Sequence, residues 1–470
     1  MEGFKDVDHN VEDIMGLEQI ADGDQYMEML MFVTGYICLL AQSYNLILFD
    51  NDMSSWFSNK DCRVHSCWQH LCRKEASKIK FLHVLQSWDE DIKDQRRLCV
   101  HFNTLFAIKE VYDSIKSDCP SNVRSLLCYG PVHPYPVPIP AMNLKLLRVL
   151  DALTVRFYQI PLEIIKLVCL KYLSLNCNIE LPASISNLLH LQFLIIHQYV
   201  RIIKCGVLSC MPMEIWDMQN LQYLNVQGRD MPTPNSNSNA ILDKVYFLAG
   251  VGTKSCTREI LKRIPNLRSL YISIVRKPYD EDNDSNPLSE LANISEELQN
   301  LMCLSYAVQQ PDMKWEAMVP LSMFPSSLRV LTLGGLGCPW HYMNYIGSML
   351  PNLIALSLEH YAFRGPVWDI ELRCFLKLET LIIEDTDLVE LRAQDGSLPW
   401  LKHLSLRYCY KLKHLDWLCG NSEETPFVAT ILICDEKSQP DSQLVNRFTV
   451  KDIVSWNSVL AANARNGELD

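Results

Sequence analysis

Positive charge is the first thing that this chain has little of. Its 470 residues carry 43 Lys and Arg against 55 Asp and Glu, which gives a net charge of −12 at pH 7. A protein that binds a phosphate backbone needs a basic face, so this balance argues against nucleic acid as the ligand. The first residues, MEGFKDVDHNVEDIMG, are acidic as well. They therefore lack the positively charged start of a secretory signal peptide.

Catalytic signatures are also missing. The sequence contains no G-x-S-x-G of a serine hydrolase, no H-E-x-x-H of a zinc protease and no protein-kinase signature set. Its acidic runs, Asp89 to Asp91 and residues 280–284, are typical of solvated loops and not of paired catalytic carboxylates. We therefore predict that the chain is not an enzyme and has no catalytic residues.

The 18 cysteines follow no even spacing. With no signal peptide, they predict reduced thiols in a cytosolic or nuclear protein and not a disulfide framework. A charge-free run from Met29 to Phe49 is long enough to span a bilayer. Its internal polar residues and the lack of flanking Lys or Arg favour a buried helix, with a membrane span as the alternative. We predict a cytoplasmic protein without a stable membrane span, and leave peripheral membrane association open.

The main feature that is present is a repeat of the form L-x-x-L-x-L. Clear copies are LKYLSL, LQFLII, LQYLNV, LRSLYI, LRVLTL, LIALSL, LETLII and LKHLSL, and weaker ones are LRVLDA, LDKVYF and LMCLSY. The copies begin at residues 147, 170, 191, 221, 242, 267, 301, 328, 353, 378 and 401. Most spacings fall in the window of leucine-rich repeats, about 20–29 residues, and the longer ones are interpreted as loop insertions.

This repeat predicts an architecture. Its last two leucines alternate with other residues, which is the period of a short strand with the leucines facing inward. One repeat cannot cover its own apolar side, so neighbours must stack. The segments between strands, such as LPASISNLLH, have the apolar spacing of helical or 3₁₀ turns. We predict an α/β fold, a leucine-rich-repeat solenoid (horseshoe) over residues 140–420 with a parallel sheet on its concave face.

The alternation also predicts which side chains leave the sheet on the concave face. Several are aromatic, and an exposed aromatic stripe on a rigid sheet suits a protein partner. The alternative is that they are ordinary scattered surface residues. The predicted partner-binding residues are Tyr172, Phe193, His197, Tyr223, Tyr271, Glu359, Glu384, His403 and Arg407.

Two parts of the chain resemble a known family. The repeats that begin LKLLRVLDAL and IPLEIIKLVCLKYLSL, and the stretch at 95–131 that precedes them, resemble plant nucleotide-binding leucine-rich-repeat disease resistance proteins. The late blight resistance proteins are the most similar group, and the likeness covers about residues 60–418. The resemblance implies a role in the defence response, with a pathogen effector, a guarded host protein or another immune receptor as the partner.

The stretch CRVHSCWQHLC at residues 62–72 resembles the Met-His-Asp motif that ends the nucleotide-binding module of this family. By resemblance, His65 would face the phosphate of bound ADP, but Ser66 stands where the motif has aspartate. A P-loop is missing, because the nearest imitation, AGVGTKSCT, has Thr253 where the second glycine is required and is interpreted as a loop. About sixty residues precede the motif, too few for such a module. We expect a receptor fragment that has lost ADP and ATP binding.

The same stretch could also be a metal site, because Cys62, His65, Cys67, His70 and Cys72 are all potential ligands. Structural zinc sites favour closely spaced cysteine pairs that are followed by a second pair. These cysteines lie five residues apart and no second pair follows. We therefore predict no metal ion.

The last twenty residues, KDIVSWNSVLAANARNGELD, resemble the start of a pentatricopeptide repeat. RNA binding by this tail is a rival function, although reading RNA takes several such repeats, and a helix that caps the solenoid is another interpretation. The alternative to a recognition module is a non-functional or decoy receptor fragment. The predicted domains are a helical segment at 1–60, a helical joiner at 61–139, the solenoid at 140–420, a linker at 421–450 and a partial pentatricopeptide-like helix at 451–470.

Overall fold

The chain divides into two compact units, Met1–His83 and Val84–Asp470. In the first unit, β1 (Ile47–Phe49) pairs antiparallel with β2 (Cys62–Val64). A computed structural model describes residues 47–49, 62–64, 83–85, 96–101, 122–129, 144–178, 180–198, 209–235, 239–275, 289–309, 321–394, 396–417 and 428–432.

One large sheet of 15 strands follows the order of the repeats along the chain. Its strands are β3 (His83–Leu85), β4 (Arg97–His101), β5 (Ser125–Tyr129), β6 (Val149–Phe157), β7 (Tyr172–Cys177), β8 (Phe193–His197), β10 (Tyr223–Val226), β12 (Phe247–Val251), β13 (Ser269–Val275), β14 (Cys303–Gln309), β15 (Val330–Gly334), β17 (Ala355–Glu359), β20 (Thr380–Glu384), β22 (His403–Arg407) and β24 (Val428–Leu432). From β4 to β24 every neighbouring pair is parallel. The predicted repeat solenoid with a parallel sheet is confirmed.

Short helices occupy the segments between the strands, as the apolar spacing predicts. Pro182 and Pro212 stand directly before two of them, where a fixed φ and a missing N–H suit the first helical turn. Each of these two helices buries an isoleucine in the core, Ile185 in the first and Ile215 in the second. The helices are α1 (Leu162–Ile165), α2 (Arg258–Leu261), α3 (Asn293–Glu297) and α4 (His341–Met349), and the 3₁₀ turns are Ala183–Asn187, Met213–Asp217, Thr253–Cys256, Ser289–Ala292 and Leu321–Met323.

Shorter strands form three further parallel sheets. They are β9 (Ser209–Cys210) with β11 (Arg229–Asp230), β16 (Cys338–Pro339) with β18 (Phe363–Arg364), and β19 (Val367–Ile370), β21 (Glu390–Ala393) and β23 (His414–Trp417) together.

The repeat leucines form the core. Leu173, Leu194 and Leu224 are register partners on adjacent strands, and all three are fully buried. Leu356 and Leu404 are also buried, so the predicted inward direction of the repeat leucines is confirmed. Among the described residues, one core cluster includes buried side chains from Leu98 to Leu412. Each repeat thus closes the apolar side of the next, as a stacked solenoid requires.

The start predicted for one repeat is wrong by three residues. The register pairs Tyr223 with Phe247 and Leu224 with Leu248, so the repeat begins at Val245 and not at Leu242. Both candidate starts are buried aliphatic residues. Hydrophobic pattern alone therefore does not choose between them, and the hydrogen-bonded register does.

The sheet extends beyond its predicted limits at both ends. Strands β4 and β5 lie within 61–139, which was predicted to be helical, and β24 lies within the predicted linker 421–450. In β4 the buried Leu98 and Val100 stand two residues apart, and Leu126 occupies the matching place in β5. This is the period of a strand, so the helical prediction is wrong for these residues.

Other predictions concern residues outside the described ones. These include His65, residues 451–470 and nearly all of 1–60. Of the apolar run Met29–Phe49, only residues 47–49 are described, and they form β1. In the described part of the chain, no helix has both the length and the apolar character needed to cross a membrane.

Candidate functional site

Each strand of the large sheet has one face on the core and one face turned away from it. We call the second the open face, and it is the face predicted to be concave. On β8, Leu194 and Ile196 are buried, whereas Phe193, Ile195 and His197 between them are half-buried. The open face therefore carries the alternate residues of each strand, as the sequence pattern predicts.

Five aromatic rings form a continuous row on the open face, which we call the aromatic ladder: Tyr172, Phe193, Tyr223, Phe247 and Tyr271. Their neighbouring ring centroids lie 5.9, 5.8, 3.9 and 5.0 Å apart in that order. The first four occupy the same position on adjacent strands, and Tyr271 lies one outward position further along β13. In-register parallel strands repeat about every 4.8 Å, which brings equivalent rings within stacking distance.

The ladder is rigid before any partner arrives. Each ring is half-buried and lies against its neighbours in the row. The closest pair, Tyr223 and Phe247, stacks with its planes 7° apart. Aromatic side chains have few rotamers to lose, and packed rings have lost them already. The row is thus a preorganised apolar surface.

The tyrosine hydroxyls of the ladder remain neutral at physiological pH. Burial, together with the nearby Asp151 carboxylate, raises the pKa of Tyr172 to about 12. Burial likewise raises the pKa of Tyr223 and of Tyr271. The ladder therefore combines an apolar surface with phenol groups that are uncharged at this pH.

Phe247 is the ladder residue that sequence reasoning missed. A repeat beginning at Leu242 assigns Phe247 to the core, whereas the register through Val245 assigns it to the open face. The signal that could have found it is the alignment of VYFL at residues 245–248 with LQYL at residues 221–224.

A polar group borders the ladder at β6 to β8. Asp151 and the fully buried Ser174 are register partners, and the Leu153 N–H donates to Asp151 Oδ1 at 3.4 Å. Burial raises the pKa of Asp151, and the Leu153 N–H, Ser174 and His197 oppose this. Burial also lowers the pKa of His197, against the pull of Asp151. The predicted residue His197 therefore lies beside the ladder as a half-buried polar group.

The predicted acidic residues lie further along the sheet. Glu359 accepts a hydrogen bond from Ser357 Oγ at 2.8 Å, and burial raises its pKa while Ser357, His360 and Arg407 oppose the rise. Glu384 is half-buried and is the register partner of Arg407. These residues interact within the protein and do not adjoin the ladder.

Arg407 is not available for the contact that was predicted for it. It is 1% exposed, and its Nε donates to Ser405 Oγ at 3.1 Å. The additional strand β24 pairs with β22, placing Leu432 opposite Arg407, so this position is not at the sheet edge. His403 is exposed at the start of β22, and partial burial with the Lys402 charge lowers its pKa. The structure therefore separates His403 from the ladder.

The loop that imitates a P-loop serves an internal purpose. Gly252 N–H donates to Asp230 Oδ1 at 2.8 Å, and Ser255 Oγ donates to the same oxygen at 2.9 Å. A carboxylate from an earlier strand, β11, thus takes the groups that a P-loop would offer to phosphate. Of the potential ligands at 62–72, only Cys62 is described, in β2. In the described residues, no three His, Cys, Asp or Glu side chains are grouped to hold a metal ion.

Comparison with known proteins finds a matching repeat family and relatives from plants. A family described as leucine-rich repeat region matches residues 122–365. Late blight resistance protein R1-A of Solanum demissum is 25% identical over 431 residues, which cover 85% of this chain and 30% of that protein. Disease resistance protein RPP8 of Arabidopsis thaliana is 27% identical over 402 residues, which cover 79% of this chain and 42% of that protein. The chain thus spans less than half of the length of these relatives.

Among solved structures, a leucine-rich-repeat protein of Leptospira interrogans aligns with a TM-score of 0.43 at 18% identity, over 72% of this chain and 91% of that one. The matched family region covers more than half of the 470 residues. The chain therefore belongs to the leucine-rich repeat family, and its relatives are plant disease resistance proteins.

Proposed function

We propose that the chain is a protein-recognition module of plant defence that binds its partner on the aromatic ladder. The observation that carries this proposal is the unbroken row of five half-buried rings on the open face. Interface energy concentrates in rigid aromatic residues, and each such anchor costs roughly 1–4 kcal/mol on truncation to alanine. The partner would be a pathogen effector, a guarded host protein or another immune receptor.

We also propose that this recognition takes place in the cytoplasm and needs neither catalysis nor a bound nucleotide. The engagement of Gly252 and Ser255 by Asp230, in the loop that imitates a P-loop, supports the absence of a nucleotide at this loop. Calorimetry with ADP and ATP should show no saturable heat in the micromolar range. Saturable ADP binding that disappears in His65→Ala would contradict the proposal.

Proximity labelling in leaf tissue tests the recognition surface. The partner set of the wild-type chain would be compared with that of Phe193→Ala/Phe247→Ala, which removes two rungs of the ladder. The matched control is Leu189→Ala/Tyr345→Ala, which removes two side chains that are 64% and 57% exposed outside the large sheet. We expect the ladder variant to lose labelled partners and the control to keep them, with both still folded in thermal melts. If the control loses partners while the ladder variant keeps them, the ladder is not the recognition surface.

A further inference from the structure

A row of basic side chains leads up to the aromatic ladder, on strands that precede it in the sheet and on its first strand. The residues directly before β4 to β7 are Arg96, Arg124, Arg148 and Lys171, which we call the basic row. Backbone hydrogen bonds align it: Arg124 N–H donates to Arg96 O at 2.7 Å, Arg148 N–H to Arg124 O at 2.7 Å, and Lys171 N–H to Arg148 O at 2.8 Å. Four cationic residues therefore follow one another on adjacent strands, about 4.8 Å apart.

The basic row faces solvent. Arg96, Arg148 and Lys171 are exposed, and Arg124 is half-buried, with its guanidinium donating to Leu146 O at 3.3 Å. No carboxylate of the described residues forms an ion pair with the three exposed members. In a chain with a net charge of −12, this is a local concentration of positive charge.

The row is interrupted along most of the ladder. After Lys171 the same position is occupied by the uncharged Gln192, Gln222 and Tyr246, and it is basic again at Arg268, directly before β13. The ladder begins at Tyr172, next to Lys171, and continues to β13. The open face and its border thus have a positive part followed by an apolar part, and the two meet at β7.

We propose that this surface binds an extended protein segment that is acidic at one end and apolar at the other. This rests on the proposed function and adds the chemistry of the partner. At about 4.8 Å between strands, the row spans about 14 Å and the ladder about 19 Å. An extended chain covers about 3.3 Å per residue, so the segment has about four acidic residues followed by about six with apolar side chains.

The adjoining ladder favours a protein segment over a polyanion. A nucleic acid or an anionic lipid surface would be held by a basic track that continues along the whole contact. Here the track is interrupted for three strands, at Gln192, Gln222 and Tyr246, and the overall negative charge repels a long polyanion. An acidic peptide meets both parts, because its carboxylates complement the row while its apolar side chains cover the rings.

The test is selection from a displayed library of random 12-residue peptides against the full chain. We expect enriched peptides with Asp and Glu at one end and apolar residues at the other. The same selection on Arg96→Glu/Arg148→Glu/Lys171→Glu should enrich Lys and Arg in place of Asp and Glu. The control Lys262→Glu/Lys411→Glu/Lys413→Glu makes the same charge change at exposed lysines elsewhere and should enrich the wild-type pattern.

Fluorescence anisotropy of one enriched peptide gives the size of the effect. Reversal of the three exposed basic residues should weaken its binding at least tenfold, and the control should change it less than twofold. If enriched peptides depend on Phe247 but carry no acidic bias, this inference fails and the proposed function stands. If enriched peptides depend on neither the row nor the ladder, or no peptide is enriched, both fail. Tighter row-dependent binding of poly-U RNA or phosphatidylserine vesicles would replace the protein segment by a polyanion and overturn the inference.

Discussion

Removal of one core leucine tests the repeat architecture most directly. Leu224 is fully buried, and its register partners are Leu194 and Leu248 on the two adjacent strands. Leu224→Ala leaves a cavity in this close-packed column, which costs about 2–5 kcal/mol of the free energy of unfolding. Since each repeat packs mainly on its neighbours, the lost stability would fall first on the repeats around β10.

Urea unfolding followed by tryptophan fluorescence measures this cost. The matched control is Leu189→Ala, which makes the same chemical change at a side chain that is 64% exposed. It should alter the free energy of unfolding by less than about 0.5 kcal/mol. Equal unfolding midpoints for Leu224→Ala and Leu189→Ala would refute the inward placement of the repeat leucines. Hydrogen exchange should show the loss of protection concentrated in β8, β10 and β12.

Three further predictions concern the ladder, a buried arginine and pH. Phe247→Ala removes ring contacts to Tyr223 and Tyr271. It should lower the free energy of unfolding in urea by about 1–3 kcal/mol, and a loss below about 0.3 kcal/mol would mean that the rings do not stabilise one another. Arg229 is fully buried and donates a hydrogen bond to Cys177 O at 3.0 Å, 52 residues away in the sequence. Arg229→Ala should therefore lower the free energy of unfolding by about 1.5–3 kcal/mol, and an unchanged unfolding midpoint would contradict this. The pKa of Tyr172 in the folded protein is about 12, above the ordinary value of 10.0. The folded state therefore favours the neutral phenol, and the stability that Tyr172 contributes should be present below pH 10 and lost as the pH rises towards 12. Tyr172→Phe should reduce that loss in unfolding midpoints measured at pH 9 and pH 11, and an identical loss would show that another group titrates.

Side chains further along the open face are the reason why we propose recognition at only one part of the sheet. Glu359 and Arg407 lie on the open face by strand alternation, yet Arg407 is almost completely buried and interacts with its neighbours. The rings of the ladder, in contrast, remain half-buried and so keep part of their surface accessible. A partner would therefore meet the sheet at the ladder and not along its whole length.

The sequence by itself determined the repeat, the direction of its leucines and four of the five ladder residues. A period of two assigns each strand residue to the core or to the open face, because a side chain on the wrong face would expose a leucine to water. Tyr172, Phe193, Tyr223 and Tyr271 could be named in this way. The same rule can recognise strands only where the leucines are regular, so β4, β5 and β24 were missed.

Only the tertiary structure decided which residues stand next to one another. Phe247 joins the ladder because hydrogen bonds pair β10 with β12 through Val245 and not Leu242, a choice that two buried aliphatic residues leave open in the sequence. Arg407 is buried because β24 adds a strand beyond it. The basic row exists only when β4 and β5 are aligned with β6 and β7, since its members lie far apart in the sequence. Insertions between repeats change sequence spacing without changing strand spacing, and therefore only the register of the folded sheet brings these residues together.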